Sequence, residues 1–212
     1  MKKLLKLFIV LIGINFHAQE VKFSAGTNYT DYSFYANDNF SASGIGSFFE
    51  IEYIRKLGKK TFKSLSHSIS LNLNEYNAST GNMASYYEWQ TSYVGIKNSI
   101  NLPLYTTKNG IQFYFSAGVN LSHIIKGNQK INSMVYDISD HNDFKGIVIW
   151  SDLGFNVSYK IKDDIKLAVG YSMSENQTFN GTRTSIIYNE ESPIVYIDNH
   201  QINLSLIYTL ND

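Results

Sequence analysis

The stretch Leu65-Ser66-His67-Ser68-Ile69-Ser70-Leu71-Asn72-Leu73-Asn74-Glu75 decides how this chain folds. Leu65, His67, Ile69, Leu71 and Leu73 share one parity, and Ser66, Ser68, Ser70, Asn72 and Asn74 share the other. Successive residues of a β-strand face opposite ways, so a period of two sorts these sets onto opposite faces. One face is apolar and the other is built of Ser and Asn. A strand turned toward water usually carries Lys, Glu, Arg or Thr on its polar side. Small neutral groups instead suit a narrow interior, where side chains from several strands must fit together. The stretch reads as the wall of a barrel with lipid outside and a polar lumen, which argues against a soluble lipocalin-like barrel with an apolar interior.

The same grammar recurs on both sides of it. Strands are predicted over 21–29, 44–57, 65–75, 88–104, 111–121, 147–161, 165–173 and 202–210. Short turns follow the second, fourth and sixth strands, at 58–60, 106–110 and 162–164. The middle turn ends in Asn109-Gly110, a strong hairpin signal. Long connections follow the first, third, fifth and seventh strands, at 30–43, 76–87, 124–146 and 175–197. An even-stranded barrel with both termini on the periplasmic side needs this alternation. The expected fold is an all-β, eight-stranded, antiparallel up-and-down transmembrane β-barrel. Ten strands also fit, because 182–188 and 194–197 in the last connection look extended.

The N-terminus points the same way. Lys2, Lys3 and Lys6 precede the apolar run 7–14, and Ala18 suits the last residue before cleavage. The expected organisation is a signal peptide over 1–18 and one outer-membrane barrel over 19–212. The run 7–14 is too short to span a bilayer as a helix, and no later stretch reaches the roughly 20 apolar residues that a helix needs. The chain has no cysteine, which excludes a disulfide framework and a lipid-modified N-terminal cysteine. Of its 18 basic residues three lie in the leader, leaving 15 against 18 acidic residues. No basic stripe suggests nucleic acid. The 16 Tyr and 13 Phe suit strands and membrane-interface girdles.

Candidate chemistry is sparse. Glu50 and Glu52, Lys97 and Asp152 fall on the inward parity at mid-strand and form the expected lumen charge cluster. An unpaired charge inside a barrel is costly, so Lys97 is expected to bridge one of the acids. That arrangement would plug the lumen, with a gate or proton-binding site as the functional alternative. His67, His123, His141 and His200 lie on separate elements without metal-ligand spacing, so neither a metal nor a cofactor is expected. Barrel enzymes of the lipid A deacylase type place a serine two residues after a histidine. Here Ile69, Ile125, Asp143 and Ile202 occupy those positions, and no catalytic residue is assigned. Function is therefore expected in the loops. Tyr32, Phe34, Tyr35, Tyr136 and Tyr188 stand there near Asp31, Asp38, Asp140 and Glu190 and suit recognition of an extracellular protein or glycan. A narrow solute channel and a lipid-modifying enzyme are the alternatives.

The block Ser92-Tyr93-Val94-Gly95-Ile96-Lys97-Asn98-Ser99-Ile100-Asn101-Leu102-Pro103-Leu104, followed by Phe113-Tyr114-Phe115-Ser116-Ala117-Gly118-Val119, resembles consecutive strands of the PorT-like outer-membrane β-barrel group of Bacteroidota. The leader ending His17-Ala18-Gln19-Glu20 is similar to leaders from those bacteria. The resemblance implies an outer-membrane barrel in contact with lipid. It carries no activity onto any residue here, and the chain departs from many barrels in ending Leu210-Asn211-Asp212 rather than on an aromatic residue.

Overall fold

A computed structural model describes residues 20–34, 41–57, 65–82, 85–140, 144, 146–178 and 195–210. The residues expected to form the leader lie outside these. Among the described residues nine strands occur in order: β1 (Glu20–Phe34), β2 (Ser41–Lys56), β3 (Ser66–Gly81), β4 (Tyr86–Thr106), β5 (Ile111–Ile131), β6 (Met134–Asp137), β7 (Ile147–Lys160), β8 (Ile165–Thr178) and β9 (Val195–Thr209). All pairings are antiparallel, each of eight strands pairs with its sequence neighbours, and β9 returns to β1 over the whole length of both. The fold is the closed eight-stranded barrel expected, not the ten-stranded one. The extra strand, β6, folds back on the far end of β5 and takes no part in closure. No helix among the described residues is long and apolar enough to cross a membrane.

The polarity of the wall is inverted relative to a soluble protein. Phe23, Phe49, Ile51, Leu71, Ile96, Leu121, Leu153, Val169, Ile202 and Leu204 lie exposed on the outer face. Ser24, Glu50, Ser70, Asn72, Asn120, Asn156 and Asn203 are buried on the inner one. So large a continuous apolar surface is stable only against lipid.

Two of the long connections expected from sequence are largely strand. The connection at 76–87 contracts to residues 82–85, because β3 runs to Gly81 and β4 begins at Tyr86. The connection at 124–146 contains the far end of β5 and the hairpin to β6. The cause is a second inversion. Toward this end of the barrel the inner positions become apolar (Tyr32, Ala42, Tyr76, Ala78, Trp89, Ile197), and the outer ones become polar (Asp31, Ser43, Ser79, Gln90, Asp198). The alternation continues with its sign reversed, so a search for apolar-outside strands stops there. On β5 a bulge adds a further obstacle. Tyr93 pairs with Ile124 and Ser92 with Lys126, leaving Ile125 as the inserted residue that shifts the parity. A second irregularity, between Pro103 and Tyr105, makes Leu104 the inserted residue on β4. It falls beside a proline, which cannot donate to the ladder.

Candidate functional site

The lumen is filled in layers, and each layer follows from which residues the inward parity delivers. At the end that carries the tight turns and both strand termini lies an open cavity of about 460 Å³. Lys166 Nζ meets Glu20 Oε1 at 2.6 Å in its wall. Tyr114 also lines it, with its hydroxyl buried and without a hydrogen-bond partner. Above it Lys22 on β1 faces Glu52 on β2, the two residues being paired across the strands, and Nζ lies 3.0 Å from Glu52 Oε2.

The next layer brings together the remaining charges expected from sequence. Lys97 Nζ lies 2.9 Å from Glu50 Oε1 and 3.9 Å from Asp152 Oδ1. The Ser70 hydroxyl also donates to Glu50, at 2.5 Å. Glu50, Glu52, Lys97 and Asp152 thus form one buried neighbourhood with three strands between its extremes. Lys22 is the member that sequence reasoning missed. Its signal is present all the same: it sits between Val21 and Phe23, on the parity opposite their apolar set.

Over the charges lies a belt of amides. Asn28 Nδ2 donates to Asn74 Oδ1 at 3.2 Å, Asn74 Nδ2 to Asn72 Oδ1 at 2.9 Å, and Asn72 Nδ2 to Asn120 Oδ1 at 3.1 Å. From β9, Gln201 Nε2 and Asn199 Nδ2 both donate to Asn28 Oδ1, at 2.9 and 3.3 Å. Gly95 makes room for this network, since a Cβ there would stand 2.5 Å from Asn120 Oδ1 and 2.8 Å from Asn72 Oδ1. Amide chains bonded in this way rigidify an interior that has no apolar core of its own.

The final layer is aromatic. Trp150 stacks on Tyr76 with centroids 4.6 Å apart and meets Tyr93 edge to face at 6.1 Å. Its indole nitrogen donates to the Ser122 hydroxyl at 2.7 Å. Tyr32 stacks on Trp89 at 6.2 Å, and its hydroxyl meets Thr91 Oγ1 at 2.9 Å and the Tyr76 carbonyl at 3.1 Å. Ile124, Val148 and Ile197 are among the aliphatic residues that pack into this apolar cap. Tyr32, expected in a recognition loop, is instead fully buried, because β1 continues past the expected strand end and keeps Tyr32 on the inward parity.

Beyond the cap, β4 and β5 are 21 residues each, about twice what a tilted strand needs to cross a bilayer. Their far ends carry β6, whose Met134, Val135 and Tyr136 are 64, 65 and 46% exposed. Asn132, in the turn before it, takes a positive φ of 54°, a conformation asparagine tolerates better than most residues. Asp137 accepts from the Ser139 hydroxyl and the Ser139 backbone N–H, and these two bonds hold its carboxyl below the usual range. Asp31 and Asp140 are exposed in the same half of the molecule. Phe34 ends β1, its side chain outside the described residues, as are Tyr35, Tyr188, Asp38 and Glu190. His67, His123 and His200 bond to Asn98, the Gly146 carbonyl and Tyr171 respectively, on the outer face. Among the described residues no group of three acidic, histidine or cysteine side chains could hold a metal ion.

No protein-family model matches the chain, and no curated protein matches it. Among solved structures, neisserial surface protein A aligns over 90% of this chain and 97% of its own, at 12% identity and a TM-score of 0.51. The outer membrane enzyme PagL aligns over 88% and 97%, at 7% identity and a TM-score of 0.48. Ail, the attachment invasion locus protein of Yersinia pestis, aligns over 90% and 99%, at 7% identity and a TM-score of 0.42. The likeness to neisserial surface protein A is one of fold alone. The chain has the fold of an eight-stranded outer-membrane β-barrel.

Proposed function

We propose that this protein is a non-enzymatic barrel of the bacterial outer membrane that recognises an extracellular protein or glycan through its loop end. The observation that carries the reading is the exposure of Met134, Val135 and Tyr136 on a hairpin beyond the level where the outer wall turns polar. Apolar side chains displayed on both faces of a strand in water are costly unless a partner covers them. The layered lumen supports the closed reading over the channel, since both an aromatic cap and ion-paired carboxylates stand in the path. The leader over 1–18 and kinship with the PorT-like barrels of Bacteroidota belong to the same proposal, supported by the motifs His17–Glu20, Ser92–Leu104 and Phe113–Val119. In that orientation the turns and termini face the periplasm and the hairpin faces outward.

The test is binding by the purified barrel, reconstituted in lipid, to arrays of polysaccharides and extracellular proteins. A ligand whose affinity falls at least tenfold in a Val135→Ser/Tyr136→Ser variant supports the reading. Steady conductance in planar bilayers, altered by Lys97→Met, would replace it with the narrow channel. Altered lipid A in expressing cells would replace it with the enzyme.

A further inference from the structure

Between the charged layer and the aromatic cap lies a second cavity of about 20 Å³. That is room for one occupant of water's size. Its wall includes Asp152, Lys97, Asn72, Asn120, Asn199 and Gln201. Two features of this wall are unbalanced. The first is charge. Lys22 pairs with Glu52 and Lys166 with Glu20, one to one, at 3.0 and 2.6 Å. Lys97 alone serves two carboxylates, holding Glu50 at 2.9 Å and leaving Asp152 at 3.9 Å, beyond hydrogen-bonding distance. With Glu50 and Asp152 both ionised, the buried triad carries one uncompensated negative charge, and the carboxylate short of a close partner is the one that lines the cavity. An uncompensated charge in such an interior is strongly unfavourable and is relieved either by a counter-ion or by a proton on the carboxylate.

The second feature is an orphan oxygen. Asn199 is 3% exposed, and its Oδ1 has no hydrogen-bond partner. Its orientation is fixed, because Nδ2 donates to Asn28 Oδ1 at 3.3 Å and to Ser174 Oγ at 3.2 Å. Asn28 Oδ1 has no proton to give, so the amide cannot be turned round without losing that bond. A buried carbonyl oxygen left without a donor is also costly.

We infer that this cavity binds a single monovalent cation of about potassium's size. One positive charge neutralises the triad, and an oxygen-seeking ion satisfies both the Asp152 carboxylate and the Asn199 carbonyl oxygen, with neighbouring amide oxygens within the same wall. A water molecule fits the volume but leaves the charge. A divalent ion reverses the charge instead of cancelling it, and the wall offers it one carboxylate. The ion is a structural counter-charge of the plugged lumen, and its presence does not depend on what the loop end recognises.

The probe is thallium(I), which substitutes for potassium and scatters anomalously. Crystals of the lipid- or detergent-embedded barrel grown with thallium are expected to show an anomalous peak inside the cavity, against Asp152 and Asn199. That peak is expected to vanish in Asp152→Asn, which is nearly isosteric and removes the excess charge. Water density without an anomalous signal in the wild type would overturn the inference and leave a proton on Asp152 as the neutralising charge. A map of the wild type alone decides the matter, so the test holds even where the variant fails to fold. Unfolding in lipid adds an independent reading: the wild-type midpoint should rise by several degrees in potassium over N-methylglucamine at equal ionic strength. Equal midpoints in the two salts would count against a bound ion.

Discussion

Lys22 shows how much one side chain inside a barrel can matter. It is buried, its head group rests on Glu52, and no other lysine in the described residues approaches that carboxylate as closely. Lys22→Met leaves Glu52 buried and charged without its partner, a change expected to cost about 3–5 kcal/mol. The double variant Lys22→Met/Glu52→Gln removes both charges and should recover most of that loss. Urea unfolding in lipid vesicles, run as a double-mutant cycle, measures both. Equal losses in the single and double variants would mean that the pair does not act as a unit. The two charges are unequally visible in the sequence. Glu52 stands out because its alternation with Ile51 and Tyr53 is clear, whereas Lys22 is masked by its nearness to a lysine-rich leader. Tyr32 escapes for a related reason: its parity suits the lumen, but β1 runs past the point where its apolar-outside pattern stops.

At the scale of an element, β3 and β4 each change character along their length without changing conformation. The half of β3 from Ser68 to Asn74 buries Ser and Asn and exposes Leu, and the half from Tyr76 to Gly81 buries Tyr and Ala and exposes Ser. Local backbone preference is the same in both halves, since aromatic and β-branched residues favour strands whichever way they face. What differs is the solvent outside. The upper half therefore behaves as a small water-soluble barrel with its own apolar core, standing on a membrane barrel whose core is polar. Trp150 joins the two, touching Tyr76 and Tyr93 above and Ser122 within the polar wall. Trp150→Ala should destabilise the cap by about 3–5 kcal/mol, as for other buried aromatic truncations. Amide exchange is expected to quicken at Tyr76, Thr91 and Tyr93 and to remain slow at Leu71 and Ser99. Uniform quickening along β3 would show that cap and lower barrel open together.

For the whole molecule, closure is legible because eight apolar faces recur with tight turns between alternate pairs, whereas the choice between eight strands and ten is made by the pairing of β9 with β1. The loop end is not legible, because the sign of the pattern reverses there and a bulge at Ile125 shifts its parity. The lumen cluster can be read in part as to membership, since parity brings Glu50, Glu52, Lys97 and Asp152 inside while Lys22 is passed over. Its pairing cannot, because the tilt and stagger of a barrel decide which inward residues meet across it. The central claim is that one wall faces lipid below and water above. The chain has no cysteine, so single cysteines can be introduced along the outer parity of β3 without background. Spin labels at positions 71, 73, 77 and 79 in lipid vesicles, relaxed in turn by oxygen and by a water-soluble nickel chelate, read the two solvents directly. Positions 71 and 73 are expected to favour oxygen, and 77 and 79 the chelate. A label at 71 as open to the chelate as one at 79 would contradict the account, since the apolar face would then stand in water.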